Sequence, residues 1–336
     1  MKASIKQISQ ITGFSPATVS NALNRKRGVN SETSEKIFRA AESLGYQADR
    51  PITKIRFVTY RKNGLIIDDS QIFPAMIEGV ERQAKALGYE TIFTHLDYRD
   101  RSFEEQLEEV LEDTSSLMIL LGTEMLEEDF ERFRGYRGHL VLLDGWCEEM
   151  IFDGILINNT DAACHAVDYL IGKGHRNIGY LKGDYRIKGF QYREYGYVRS
   201  MERHGLNIRP EFTVTTGTQI ESSYEGVRRY LEGEPELPTA FFADNDVIAL
   251  GAMRAFAEKR IQIPRDISIV GFDDIKFGAA SNPGLTTIHV FKREMGEVAV
   301  RRALDHIRRG TGQEKMKIQV YTKFVERGSV RDLNQG

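Results

Sequence analysis

A short run near the start of the chain, SPATVSNALNRKRGVN (residues 15–30), combines side chains suited to nucleic-acid binding. An asparagine such as Asn21 can pair with N6 and N7 of adenine, and small apolar side chains such as Pro16 and Ala17 can contact a thymine methyl. Hydroxyl and basic side chains hold phosphates, which gives affinity and register but no sequence information. Taken alone, the run could equally be a solvated surface helix. We predict DNA contacts from Ser15, Pro16, Ala17, Thr18, Ser20, Asn21, Asn24, Arg25 and Arg27.

The flanking sequence favours DNA binding because it predicts three short helices. Ser4 and Gln7 form a capping box for the first helix, with Ile5, Ile8 and Ile11 on one side, and Gly13 ends it. Ser15 caps the second helix, whose Val19, Ala22 and Leu23 face inward, and Ser31 opens the third, with Ile37, Phe38, Ala41 and Leu44 apolar. Only Gly13 and Phe14 separate the first two helices. This is the pattern of a helix-turn-helix, whose second helix enters the major groove.

Charge is distributed unevenly along the 336 residues. Residues 1–50 hold eight basic and four acidic side chains, a net of +4, whereas the whole chain carries −3, so the remainder carries −7. A basic end on an acidic body predicts that only the end meets a polyanion. Two cysteines, no apolar leader and no run of about 18 apolar residues favour a cytosolic protein with reduced thiols and no membrane partner.

The rest of the chain alternates apolar, strand-like runs with amphipathic helical stretches. LMILLG, HLVLLD, GILIN, NIGYL, TAFFAD and ISIVGFDD are such runs, and this alternation predicts parallel sheets covered by helices on both faces. About 270 residues suggest two similar lobes. Polar residues follow these strands, where ligands bind in open α/β sheets, although each could also be a helix cap or turn residue. They are Asp144, Asn158, Asp184, Asp244, Asn245, Asp273 and Asp274.

The first 46 residues closely resemble the N-terminal domain of the lac repressor/gal repressor (LacI/GalR) family of bacterial transcription regulators. The resemblance runs without a gap from IKQISQ through ATVSNALN to LGY. It implies that positions 16, 17 and 21 discriminate operators. It also implies a hinge of roughly twenty residues that folds on DNA and inserts a leucine into the minor groove. Here only QADRPITK precedes strand-like IRFVTY, with Pro51 in the middle and no leucine, so we predict that the leucine wedge is absent or at most a vestige.

The body resembles the same family's effector domain, which has the fold of periplasmic sugar-binding proteins. GHRNIGYL, ADNDVIALGAMRAF, ISIVGFDDI, PGLTTI and FVERGSV carry this likeness. It implies effector contacts by Arg193, Asn245 and Asp273, and also by Phe73, Asp161 and Phe190. SQIFP replaces the family's usual asparagine-proline before the Phe73 position, so the wall of the effector site around Phe73 is expected to differ from that of the family. Trp146, after Asp144, could stack on a sugar face or simply pack.

No catalytic motif is evident. G-x-S-x-G, G-x-x-x-x-G-K-[ST] and strand-linked G-x-G-x-x-G are missing, the histidines and cysteines have no zinc-like spacing, and DND at 244–246 lacks the rest of a calcium loop. We therefore expect no enzyme, cofactor or metal. A sugar-binding protein or a carbohydrate-acting enzyme on the same fold is the alternative.

The expected protein is a small all-α helix-turn-helix head joined to an α/β two-lobed body. The head covers 1–47, a shortened linker 48–54 and the body 55–330, with an N-lobe of about 55–157 and 290–315 and a C-lobe of about 158–289 and 316–330. We expect a homodimeric regulator, by default a repressor, that binds double-stranded, pseudo-palindromic operator DNA. A small-molecule effector, a sugar or sugar derivative bound between the lobes, would change its operator affinity.

Overall fold

The computed structural model describes residues 4–23, 29–44, 52–68, 72–149, 151–309 and 314–335. The chain divides into two compact units between Ile52 and Thr53, inside the expected linker. Most of that linker lies outside the described residues, and with it the prediction that the leucine wedge is absent. The first unit is the head and the second is the body.

The head contains three helices, α1 (Ile5–Thr12), α2 (Pro16–Leu23) and α3 (Ser31–Ser43). Ser4 and Gln7 form the expected capping box, and Gly13 closes α1 with a φ of 73°, a left-handed conformation that favours glycine. Asn30 caps α3 by accepting a bond of 2.7 Å from the Thr33 amide. Ile8, Val19, Ala22, Leu23, Ile37, Ala40 and Ala41 form the core of the head.

Two residues expected in that core face solvent instead. Ile11 is 60% exposed and Phe38 is 38% exposed. Three residues turn an α-helix by about 300°, so side chains three positions apart point in directions that differ by about 60°. Ile11 is thereby rotated away from the buried Ile8, and α1 is too short to bring another apolar residue onto the same face.

The N-lobe of the body is a six-stranded parallel sheet in the order β11-β5-β4-β3-β1-β2. Its strands are β1 (Lys54–Arg61), β2 (Glu90–Asp97), β3 (Ser116–Leu121), β4 (His139–Leu143), β5 (Asp153–Ile157) and β11 (Lys317–Val320). Its helices are α4 (Ile72–Ala86), α5 (Phe103–Glu112), α6 (Glu127–Glu131) and α12 (Lys292–Arg309). Strands β3, β4 and β5 consist almost wholly of buried residues, which is why they read as continuous apolar runs.

The C-lobe repeats this plan with a four-stranded parallel sheet in the order β7-β6-β8-β9. Its strands are β6 (Ile178–Gly183), β7 (Thr213–Thr216), β8 (Ala240–Ala243) and β9 (Ser268–Val270), and an antiparallel pair, β10 (Thr287–Val290) and β12 (Thr322–Val325), extends it through bridges at Val270–Thr286 and Asp273–His289. Its helices are α7 (Asn159–Gly172), α8 (Lys188–Arg203), α9 (Ile220–Glu232), α10 (Asp246–Glu258) and α11 (Lys276–Ala280). The predicted fold class is confirmed.

The expected lobe boundary at residue 316 is wrong. Strand β11 pairs in parallel with β5 of the N-lobe, and only then does the chain cross to β12 of the C-lobe. A buried ion pair explains this placement. Arg302 of α12 donates to Asp153 of β5 at 2.8 Å, and the Met316 amide donates to the same carboxylate oxygen at 2.9 Å. The segment after α12 is thereby held beside β5.

Helices α4 and α12 approach each other through two glycines. A Cβ on Gly79 would lie 2.1 Å from the Arg293 carbonyl oxygen, and a Cβ on Gly296 would lie 2.3 Å from the Met76 carbonyl oxygen. These contacts are with backbone, which cannot swing aside. The two helices of the N-lobe can therefore keep this distance only while both positions lack a side chain.

We expect Gly79→Ala or Gly296→Ala to lower the free energy of unfolding by about 1–3 kcal/mol, because the helices must separate to admit the methyl group. Urea unfolding measures the loss. Gly172→Ala is the matched control, since a Cβ there meets open space at the end of α7. If all three variants were equally stable, the close helix packing would be refuted.

Candidate functional site: the α2 face and the cavity between the lobes

Helix α2 divides its side chains sharply between the core of the head and solvent. Val19, Ala22 and Leu23 are buried. Ser15, Pro16, Ala17 and Asn21 are exposed, and Thr18 and Ser20 are half-buried. The exposed set is the one predicted to meet base edges. Asn24, Arg25 and Arg27 lie outside the described residues.

Ser15 fixes the start of α2. Its hydroxyl oxygen accepts a bond of 3.1 Å from the Thr18 amide and lies 2.9 Å from the Thr18 hydroxyl. The Ser9 hydroxyl donates to the Phe14 carbonyl oxygen at 2.6 Å and so ties the turn back to α1. The first residues of α2 therefore project from a rigid turn, which suits the end of a helix that has to enter a groove.

The second site is a cavity of about 30 Å³ lined by residues of both lobes. Five of the six residues predicted to contact an effector line it: Phe73, Phe190, Arg193, Asn245 and Asp273. Asp144 and Trp146, singled out at strand ends, line it as well, and the remaining lining residues are Leu65, Ile66, Thr123, Ile157, Asn159, Ile187, Gly189, Thr218, Val247 and Ile275. Apolar walls with a few convergent polar groups are typical of small-molecule sites.

Arg193 lies at the centre of the polar groups and is only 4% exposed. Its guanidinium donates to Asn159 Oδ1 at 2.9 Å, to the Asp244 carbonyl oxygen at 2.6 Å and to Asp273 Oδ1 at 3.2 Å. The guanidinium carbon also lies 3.7 Å from the centroid of the Phe272 ring. The planar fork of arginine satisfies three acceptors at once, which a lysine could not do.

The two carboxylates of the cavity hold their protons more tightly than usual. Burial raises the pKa of Asp273, although Arg193 and Lys292 oppose the rise. Burial also raises the pKa of Asp144 to about 6, against a hydrogen bond of 2.7 Å from the Thr123 hydroxyl. Both residues have positive φ, 54° for Asp144 and 111° for Asp273, and residues held in such sparsely populated conformations cluster at functional sites.

Asn245 serves as a helix cap and lines the cavity. Its Oδ1 accepts a bond of 2.9 Å from the Ile248 amide at the start of α10, as the cap alternative predicts. The neighbouring Asp244 is fully buried beneath the cavity, where it accepts bonds from Tyr180, the Gly183 amide and Arg186. Asp244 and Asn245, the two polar residues that follow β8, thus hold the loop in place through these hydrogen bonds. Of the two, Asn245 also lines the cavity.

The expected contact from Asp161 is not supported by the geometry. Its side chain is 66% exposed, accepts a bond of 2.9 Å from Asn158 and lies 3.6 Å from Arg199. On the first turn of α7 the residue that faces the cavity is Asn159, two positions earlier, because two residues turn a helix by about 200°. Asp184 and Asp274 also lie outside the lining. Asp274 pairs with Arg327 and His289 while Asp273 pairs with Arg193, so the two aspartates do not act as a couple.

The indole of Trp146 is already surrounded by other side chains. Tyr192 approaches it edge-on at 4.7 Å between ring centroids, and the ammonium groups of Lys317 and Lys188 lie 4.0 Å and 5.2 Å from its centroid. A sugar ring would have to share or displace these neighbours in order to stack on it.

Glu124 is a residue that sequence reasoning missed. It is fully buried and accepts five backbone amide bonds of 2.8–3.2 Å, from Lys62, Asn63, Gly64, Ile66 and Ile67. It therefore shapes the loop after β1 that supplies Leu65 and Ile66 to the cavity. A single glutamate inside the apolar run LLGTEML was the available signal, because a buried carboxylate needs partners.

Hydrogen bonds and an ion pair are among the contacts that join the lobes around this cavity. The Tyr185 hydroxyl donates to the Glu124 carbonyl oxygen at 2.7 Å, and the Thr218 hydroxyl donates to the Leu65 carbonyl oxygen at 3.1 Å. The Lys188 ammonium lies 2.5 Å from a carboxylate oxygen of Glu127. These contacts hold the two lobes against each other beside the cavity.

Over the described ranges, no helix is long and apolar enough to cross a membrane. Among the same residues, no group of three or more histidine, cysteine, aspartate or glutamate side chains is placed to hold a metal ion.

Comparisons with known proteins agree with this two-part organisation. A family model described as bacterial regulatory proteins, lacI family, matches residues 4–49, and one for a periplasmic binding protein-like domain matches residues 167–330. The chain is 29% identical to the HTH-type transcriptional repressor PurR of Actinobacillus pleuropneumoniae serotype 3, over 99% of this chain and 100% of that one. It is also 29% identical to PurR of Haemophilus influenzae (strain PittEE), over 98% of this chain and 99% of that one.

Solved structures show the same fold. The regulator CelR in complex with cellobiose has a TM-score of 0.74 at 21% identity, and the lac repressor dimer bound to operator and the anti-inducer ONPF has a TM-score of 0.71 at 20% identity. Each alignment covers 98% of this chain and 100% of the other. These relatives and neighbours are regulators rather than enzymes. The chain therefore combines a DNA-binding domain matching the lacI family of bacterial regulatory proteins, at residues 4–49, with a periplasmic binding protein-like domain, at residues 167–330.

Proposed function

We propose that this protein is a repressor that reads operator DNA with α2 and changes its operator affinity when a small molecule binds between the lobes. The observation that carries the proposal is the pairing of two features in one chain. One is a head whose helix α2 exposes side chains suited to base contacts and carries no acidic residue. The other is a body with a buried cavity lined by residues of both lobes. We favour repression over activation because the PurR relatives are named transcriptional repressors.

Base reading is assigned to Pro16, Ala17 and Asn21. Their side chains are exposed on the first two turns of α2, while the opposite face is buried in the head. Asn21 can form a bidentate pair with adenine, and Pro16 and Ala17 can contact thymine methyls. Two heads from a homodimer would then meet the two halves of a pseudo-palindromic operator, about one helical turn apart.

The effector we propose is a sugar or sugar derivative. Arg193, Asp273, Asn159 and Asp144 supply charged and amide groups for vicinal hydroxyls, and Phe190 supplies an apolar wall. Two of the solved neighbours carry cellobiose and ribose. At 21% and 20% sequence identity, these two structures are similar to this protein in fold, and their ligands are their own.

The small volume of the cavity suggests how effector binding is coupled to operator affinity. Ligand sites have volumes of roughly 300–1,000 Å³, whereas this cavity holds about 30 Å³. A sugar can therefore enter only if the lobes or the loop shaped by Glu124 move. An effector that binds one lobe arrangement better than another shifts the balance between them, and only that difference in affinity can change DNA binding.

We expect Asn21→Ala to weaken binding to the preferred duplex by about 1–3 kcal/mol and to relax the preference at one base pair, because one bidentate contact is lost. Fluorescence anisotropy against a set of single-base operator variants at fixed salt measures this. Gln10→Ala, an exposed amide on α1, serves as the control and should leave base preference unchanged. An equal loss on every duplex would show that Asn21 does not read bases.

A second substitution tests the cavity. Arg193→Lys keeps the positive charge but cannot reach Asn159, Asp244 and Asp273 together. We expect at least a tenfold weaker response to a sugar identified by a thermal-shift screen, with operator affinity in its absence unchanged.

Arg199→Lys is the matched control, because Arg199 lies on the same helix with its side chain 52% exposed. It should respond to the sugar as the unmodified protein does. Loss of operator binding in Arg193→Lys would point to misfolding, and an unchanged sugar response would place the effector elsewhere.

A further inference from the structure

Two lysines lie beside one aromatic ring that lines the cavity. Lys317 Nζ lies 4.0 Å from the centroid of the Trp146 ring, and Lys188 Nζ lies 5.2 Å from it. Trp146 lines the cavity, and Lys188 lies between two lining residues, Ile187 and Gly189. The two ammonium groups therefore lie next to residues that line the proposed effector site.

The charges of these lysines are unequally compensated. Lys188 pairs with Glu127 across the lobes at 2.5 Å. Within the described part of the chain, Lys317 has no hydrogen bond or ion pair with a carboxylate, and its only close partners are the rings of Trp146 and Tyr192. Burial, and then the charge of Lys188, lower the pKa of the Lys317 ammonium. A partly buried positive charge without a counter-ion favours an anion.

The lysines belong to different lobes. Lys317 begins β11, the edge strand of the N-lobe sheet, and Lys188 begins α8 of the C-lobe. An anionic group between them would replace mutual repulsion by two charge-assisted hydrogen bonds, one to each lobe. Binding at this point would thus favour the closed arrangement of the lobes over an open one.

From this geometry we propose that Lys188 and Lys317, beside Trp146, form an anion subsite next to the cavity, so that the effector is an acidic sugar derivative, a phosphate ester or a sugar acid, rather than a neutral sugar. This inference rests on the proposed function for the rest of the ligand, but the subsite itself can be tested alone. Trp146 would then lie beside the anionic group, and its ring would contact the two lysines and not a sugar ring.

The test uses the full-length protein and simple anions. Melting temperature is measured with inorganic phosphate, with acetate and with chloride at equal ionic strength, for the unmodified protein, Lys317→Gln and Lys323→Gln. Lys323→Gln is the matched control, because Lys323 is an exposed lysine on β12 and its loss changes net charge equally.

We expect phosphate or acetate to raise the melting temperature by about 2 °C or more relative to chloride in the unmodified protein and in Lys323→Gln, and much less in Lys317→Gln. A response to phosphate alone indicates a phosphate ester, and a response to acetate as well admits a sugar acid. Equal shifts in all three proteins, or no shift beyond chloride, would overturn the subsite. If a neutral sugar still stabilised the protein and altered operator affinity, only this inference would fail. If no sugar had any effect, the proposed effector function would fail separately.

Discussion

The buried ion pair between Arg193 and Asp273 organises the region on which effector sensing depends. Both side chains are about 4% exposed, so each charge would be costly to bury without the other. Through its remaining nitrogens, Arg193 also holds the start of α7 by Asn159 and the end of β8 by the Asp244 carbonyl oxygen. One side chain thus joins the start of α7 to the segments that follow β8 and β9, and residues of all three segments line the cavity.

The N-lobe builds its half of the cavity in a similar way, with a buried charge that organises backbone. Glu124 gathers five amides of the loop after β1, and its own carbonyl oxygen accepts the Tyr185 hydroxyl of the C-lobe. The described contacts between the lobes are made by single side chains, such as the hydrogen bond of Tyr185, the ion pair of Lys188 and the ring contact of Trp146. Such contacts suit a hinged sensor, since each can break separately when the lobes change their separation.

Local sequence patterns sufficed for the head and for much of the body. The capping box of Ser4, the cap of Ser15 and the apolar spacing of Val19, Ala22 and Leu23 are short-range signals, and the structure reproduces them. The apolar runs of the parallel strands were equally legible. The effector positions came from resemblance to a family, and five of the six gather around one cavity.

Long-range interactions were beyond the sequence. Nothing local to Asp153 indicates that Arg302, 149 residues later, neutralises it and so fixes β11 in the N-lobe. The partners of Glu124 are backbone amides that lie 57 to 62 residues away, and backbone leaves no residue-type signal. Asp161 was carried over from the family resemblance, whereas on α7 the residue that lines the cavity is Asn159. Two residues turn a helix by about 200°, so the two side chains lie on opposite faces.

A double-mutant cycle on Arg193 and Asp273 tests the central role of their ion pair most directly. The free energy of unfolding is measured by urea denaturation for Arg193→Met, Asp273→Leu and the double variant. We expect each single substitution to cost about 3–5 kcal/mol, because it strands a buried charge, and the double variant to cost well under the sum of the two. Single losses that add to within about 0.5 kcal/mol would show that the two side chains do not depend on each other, and the account of the cavity would be wrong.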